Sequence, residues 1–117
     1  MHLIFCVKYR KRLLTYYGDS VKSIFTEISD RYDFEIVSME VDKDHIHMMI
    51  QFPPTLAIVS IVRRLKQIST NRLWKLYGQQ LKKQFWAEHT FWSDGYFVCS
   101  TGDASTETIK KYIESQG

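Results

Sequence analysis

The chain has 117 residues, the size of one ordinary domain and enough to close a hydrophobic core without disulfide or metal staples. Its 44% hydrophobic content is that of a globular chain, and no apolar run approaches the roughly 18 residues of a membrane span, so a membrane protein is excluded and a soluble one expected. The net charge of +3 is mild, but "KYRKR" sets Lys8, Arg10, Lys11 and Arg12 around Tyr9, and "RRLK" and "LKKQ" add further basic clusters. With 15% aromatic residues beside them, these clusters lean toward nucleic acid, where cations meet phosphates and rings stack on bases. The first residues lack the pattern of an export signal, and Cys6 and Cys99 show no CxxC spacing. Both cysteines read as small buried thiols, and the expected home is the reducing cytoplasm.

"HLIFCVKY" is rich in strand formers and reads as the first strand. After "GDS", whose Asp19 or Ser20 is placed to cap a helix, Val21, Ile24, Phe25, Ile28 and Tyr32 recur at helical spacing, which predicts a helix over about 19–32. "FEIVSMEV" and "HIHMMIQF", joined by the polar "DKD", predict an antiparallel hairpin that Pro53 and Pro54 end. Thr55 then caps a long helix with a buried stripe of Ile58, Ile61, Val62, Leu65, Ile68 and Leu76, and a polar face of Arg64, Gln67, Asn71 and Lys75 free to touch a ligand. "FWSDGYFVCS" predicts a fourth strand after a Ser-Asp-Gly turn, and "DASTETIKKYIESQ" a last helix capped near Asp103 or Ser105.

That order is the split βαβ plan of an α+β, ferredoxin-like or RRM-like fold: an antiparallel sheet covered by helices on one face, with a C-terminal helix appended. The other face is expected to lie open. Strand alternation puts Ile46, Met48, Ile50 and Phe52 toward the core and His45, His47, Met49 and Gln51 on the open side. His45 and His47 then stand about 6–7 Å apart at their Cα atoms, a spacing that suits two imidazoles on one metal ion. A surface His-x-His pair is the plainer alternative, and the motif by itself names no reaction. On the last helix Tyr112 and Gln116 share a face, four residues apart. Spacing alone leaves Tyr112 as either a site residue or one more core aromatic, and Gln116 as either a ligand or a terminal polar residue.

"DKDHIHMMI", followed near the chain's end by "IKKYIESQ", resembles the TnpA-type single-tyrosine HUH transposases of small bacterial and archaeal insertion sequences. "KYR" after the first strand and "FWSDGYFV" before the last helix are also similar to that family, so the resemblance runs over essentially the whole chain, as one HUH domain over 1–117. It implies that His45, His47 and Gln116 bind a divalent metal, magnesium or manganese, and that Tyr112 is the nucleophile. The implied chemistry is a transesterification: Tyr112 attacks the scissile phosphate, the 3′-hydroxyl leaves, and the 5′-phosphate stays on the enzyme until a second 3′-hydroxyl reverses the step. That is strand transfer on single-stranded DNA, and it needs no ATP.

The resemblance further implies a homodimer in which the tyrosine helix of one subunit can complete the other's histidine site, with "STGDAS" and its Gly102 as a hinge. It also implies recognition of DNA hairpins near the element ends by a basic surface, for which Lys8, Arg10, Lys11, Arg12, Arg63, Arg64 and Lys75 are the candidates. Asp42, Asp44 and Glu40 lie near the motif without an assigned role. Two other readings stand beside this one: a non-enzymatic RRM-like nucleic-acid-binding module, and a zinc or manganese hydrolase with no covalent step. Tyr112 separates them, because only the transposase needs its hydroxyl.

Overall fold

β1, His2–Cys6, is the strand on which the sheet is assembled; in the computed structural model, which describes residues 1–100 and 105–116, it pairs antiparallel with strands on both sides. β2 (Glu35–Val41) and β3 (His45–Gln51) form the predicted hairpin, β4 is the short Phe97–Cys99, and the strand order is β2-β3-β1-β4. This is the ferredoxin-like arrangement that the element order predicts. α1 (Leu14–Arg31) and α2 (Ile58–Phe85) pack on one face, where Leu3 and Phe5 of β1 meet Ile46, Met48 and Ile50 of β3 in the core. Trp92 packs against Phe5, Phe25 and Phe91, and its indole N–H donates to the buried Ser69 hydroxyl at 2.9 Å, so the largest ring in the core carries a satisfied polar atom. No described helix is long and apolar enough to cross a membrane.

The structure moves several expected boundaries. α1 begins at Leu14 rather than near 19, so Asp19 and Ser20 lie inside it and do not cap it. The early start buries Leu13 and Leu14, and the Leu14 N–H finds its acceptor at the Lys43 carbonyl, 3.0 Å away, which removes the need for a capping side chain. Gly18 lets the helix approach β2, since a Cβ there would stand 3.0 Å from Val41 Cγ1. Thr55 is not the cap of α2 either; that position is Ala57. Leu76 is 61% exposed, because the buried line of α2 runs in steps of four through Ile61, Leu65, Ser69 and Leu73 to Leu81 and Phe85, with a break in helical geometry at Tyr77. The first strand ends at Cys6, and "KYR" turns sharply with Tyr9 and Arg10 in left-handed conformation.

The second face of the sheet is not fully open. Ile4 and Cys6 point to it yet are as buried as Leu3 and Phe5. α3 (Thr106–Ser115), capped by Ser105 accepting from the Thr108 N–H, lays Tyr112 against Phe97, the cross-strand partner of Ile4. The alternative cap Asp103 and the proposed hinge residue Gly102 lie outside the described residues.

Lys66 ties α2 to the segment ahead of β4. Its ammonium donates to the carbonyls of Ser93 and Gly95 at 2.7 and 2.8 Å and lies 5.2 Å from the centre of the Phe5 ring. Burial pushes this ammonium down to about 8, against the opposing charges of Asp94 and Cys6. Between about pH 8 and 10.5 the unfolded chain therefore binds the proton that the folded chain has shed, and stability rises with pH across that window.

Two outcomes follow for denaturant unfolding. Leu73→Ala, inside the α2 line, should cost about 2–5 kcal/mol, while Leu76→Gln should change stability by less than about 0.5 kcal/mol. Wild type should gain stability relative to Lys66→Met on going from about pH 8 to pH 10; a constant difference between the two proteins would remove the buried ammonium from this account.

Candidate active site

β3 mounts His45 and His47 on the face away from α1 and α2, while Ile46, Met48 and Ile50 fill the core, as the alternation predicts. The β1 register places Cys6 opposite His45 and Ile4 opposite His47. Each imidazole has one nitrogen engaged. His45 Nδ1 meets Asp44 Oδ1 at 2.9 Å, and Asp44 Oδ2 accepts from Arg10 Nε at 3.3 Å, which makes a chain from guanidinium through carboxylate to ring. Burial works against the Asp44 carboxylate, but the hydrogen bonds and charges of His45 and Arg10 outweigh it and hold its carboxyl below the usual range. Among the described residues nothing engages His45 Nε2. His47 Nε2 lies 2.8 Å from His2 Nδ1. Burial first, then the neighbouring His2 and His45, push the His47 imidazolium down, with Glu40 opposing, so the ring is neutral at pH 7, the form that ligates metals.

α3 brings the last two candidates to one place. A Cβ built on Gly95 would stand 3.7 Å from Gln116 Oε1 and 3.8 Å from Tyr112 Oη, so the hydroxyl and the amide oxygen converge over that glycine. Gln116 itself is the C-cap of α3, one residue past the helix. The Tyr112 ring packs 5.5 Å from Phe97 of the same chain. Its hydroxyl is buried with no hydrogen-bond partner among the described residues. Burial, aided by the Cys6 thiol, pushes it up to about 12. Lys111 pairs with Glu107 at 3.5 Å along the helix and Lys110 is exposed.

The donor set fits a divalent metal in kind: one histidine is held by a carboxylate with no partner for its far nitrogen among the described residues, the other is shifted toward its neutral form, and an amide oxygen stands near a hydroxyl with no described partner. Among the described residues no three His, Cys, Asp or Glu side chains gather to hold a metal by themselves. A complete set therefore needs another residue type, such as Gln116.

The basic candidates divide. Lys8 pairs with Glu88 at 3.4 Å, Arg10 with Asp44, Lys11 bonds Gln84, and the Arg64 guanidinium sits 4.5 Å from the centre of the Tyr32 ring. Arg12, Arg63 and Lys75 stand exposed. Gln67 and Asn71, from the polar face of α2, line a cavity of about 590 Å³ with Lys66, Trp92 and Ser93, beside the segment that carries Gly95. Sequence reasoning left Asp44 and His2 without roles and did not single out Lys66 as a clamp. The one available signal for Asp44 was its place next to His45; His2 shows only through the β1–β3 register.

Comparison with known proteins agrees over the full fold. The family model of the IS200-like transposases matches residues 1–116. The ISDra2 transposase TnpA of Deinococcus radiodurans is 36% identical over 116 residues, covering 98% of this chain and 81% of that one. The transposase for insertion sequence element IS200 of Salmonella typhimurium is 32% identical over 118 residues, covering 98% and 74%. The crystal structure of a transposase from Deinococcus radiodurans superposes with a TM-score of 0.88 at 30% identity, over 98% of this chain and 88% of that chain. A REP-associated tyrosine transposase bound to a REP hairpin shares the fold, with a TM-score of 0.63 at 15% identity over 97% and 61%. A match that spans nearly every residue of the sheet, its helices and the tyrosine helix makes this chain a member of the IS200-like transposases, enzymes that cleave and join DNA.

Proposed function

We propose that residues 1–117 form one HUH domain that transposes single-stranded DNA through a covalent bond to Tyr112. The observation that carries this reading is the convergence of Tyr112 Oη and Gln116 Oε1 over Gly95, on the sheet face that also bears His45 and His47. Tyr112 Oη attacks the scissile phosphorus and loses its proton; the bond from phosphorus to O3′ breaks, and the 3′-oxygen leaves as a hydroxyl. The phosphotyrosine keeps the energy of the broken phosphodiester, so a second 3′-hydroxyl can reverse the step and join new ends without ATP.

His45, His47 and Gln116 would hold magnesium or manganese. When bound, such an ion supplies Lewis-acid polarisation of the phosphate oxygens. The chain's own part is orientation: Arg10 and Asp44 set the His45 ring, and Lys66 fixes the Ser93–Gly95 segment under the tyrosine. Burial pushes the Tyr112 hydroxyl up to about 12, so the phenolate is strongly disfavoured at pH 7 and the nucleophile rests protected until positive charge and substrate arrive.

The substrate we assign is a hairpin-bearing single strand from the element ends, held by Arg12, Arg63 and Lys75, with Lys8, Arg10, Lys11 and Arg64 contributing where their present partners release them. The REP-associated transposase of like fold is itself bound to a hairpin. Two copies of the chain acting together, with tyrosine helices in cis or exchanged, belong to the same reading, and so does a cytoplasmic location.

The test is denaturing-gel detection of a protein–DNA adduct with labelled single strands from the flanks of the gene, in manganese or magnesium. Wild type should give a metal-dependent adduct and Tyr112→Phe none. That variant should fold as well as wild type, because the lost hydroxyl is buried with no partner among the described residues. Cleavage that survives the substitution would favour a hydrolase. Arg12→Gln should weaken binding across sequences and reduce the salt slope of single-strand binding by about 0.7; an unchanged slope would take Arg12 off the DNA path.

A further inference from the structure

We propose that His2 is a positioning residue for the metal site, accepting a hydrogen bond from the Nε2–H of His47 at its own Nδ1 and thereby fixing the ring plane and tautomer of His47. The inference rests on the reading of His45 and His47 as metal ligands and adds a residue which that reading does not contain.

The contact is a consequence of sheet geometry. β1 puts His2, Ile4 and Cys6 on the same face as His45, His47 and Met49, and the register sets His2 opposite Met49, diagonal to His47. From there the two rings meet with centroids 4.9 Å apart and planes tilted by 49°, and the nitrogens close to 2.8 Å, within hydrogen-bond distance. One nitrogen must carry the proton. An imidazole side chain intrinsically favours the Nε2–H form, and only a bond from His47 Nε2–H to His2 Nδ1 leaves both rings in it. His47 then keeps its unshared pair on Nδ1.

His45 is held by the same logic with the nitrogens exchanged. Its Nδ1 meets the Asp44 carboxylate, which leaves Nε2 for a metal. Ligating histidines nearly always give their second nitrogen to such a partner, and loss of the partner costs about 10- to 100-fold in metal affinity. Asp44 is that partner for His45, and His2 is the neighbour placed to do the same for His47. The cleft around the pair, about 150 Å³ and lined by His2, Ser38, Glu40, His47 and Met49, leaves room for the ring to turn if the bond is lost.

The experiment uses the whole chain, with two readouts. In metal-free protein labelled with ¹⁵N, long-range proton–nitrogen correlation should show His47 in the Nε2–H form in wild type, and a mixture of tautomers in His2→Phe. In manganese titrations followed by calorimetry, His2→Phe should weaken binding tenfold or more, and His2→Asn, whose amide oxygen falls near the position of Nδ1, should recover most of the loss. Thermal melts of the metal-free variants keep misfolding apart from the effect sought. The proposal is overturned by an Nδ1–H form of His47 in wild type, by unchanged manganese affinity in His2→Phe, or by tighter binding, which would make His2 a competitor for the ligand nitrogen. Failure of His2→Asn to rescue also overturns it, since His2 would then be supplying a ligand and not a hydrogen-bond acceptor. If wild type itself binds neither manganese nor magnesium, the metal reading of the whole site falls and this proposal with it; a wild type that binds and a His2→Phe that binds equally well sinks only the proposal.

Discussion

Everything at the candidate site depends on the register between β1 and β3. Side chains alternate along a strand with a period of two, so a slip of one residue would turn His45 and His47 into the core and bring Ile46, Met48 and Ile50 out. Each of those apolar residues is fully buried, and each contributes about 1.5–3 kcal/mol relative to exposure. Against that, burying two imidazoles without partners would cost further free energy. The hydrophobic core therefore holds the histidines in place without touching them. The same register delivers Cys6 beside His45 and His2 within reach of His47.

What could be read from the sequence follows the range of the forces involved. The faces of β3 were legible because alternation is local: "HIHMMIQ" carries its own core pattern. The order of elements was legible for the same reason. The start of α1 was not, because its first N–H groups are satisfied by a turn 29 residues away and not by a nearby side chain, as the Leu14–Lys43 bond shows. Leu76 was misplaced because a straight 3.6-residue stripe does not foresee a break at Tyr77. Asp44 was noticed but given no task, since its value comes from Arg10, which reaches it only because "KYR" turns with Tyr9 and Arg10 in left-handed backbone. Tyr112 and Gln116 could be paired by their spacing, but Gly95, over which they meet, belongs to a loop that Lys66 anchors from another element.

In the resting fold the Tyr112 phenolate is disfavoured. Packing Tyr112 on Phe97 and beside Cys6 removes water from its hydroxyl, which disfavours the phenolate and leaves a polar atom without a described partner. A buried hydroxyl in that state costs desolvation free energy, and any arrangement that supplies a partner recovers it. Gln116 ends α3 and is not locked inside it, so the amide oxygen can follow a bound group without unwinding the helix.

The choice of neutral donors has a further electrostatic consequence. On the proposed reading, imidazole and amide ligands would leave a divalent ion's charge undiminished; of the carboxylates near the histidines, Asp44 is shared between Arg10 and His45, and Glu40 stands opposite His47 on the next strand. A cation held there by neutral groups would exert its full charge on an anion brought to it, with no ligand carboxylate to repel a phosphate. On the same reading that charge would stabilise the tyrosine oxyanion, whose cost in the resting protein is set by burial. Burial suppresses the phenolate in the resting protein, and by lowering the local dielectric it would strengthen the attraction to an ion and a strand brought to the proposed site. On that reading the desolvation that keeps the site idle would also favour its substrate.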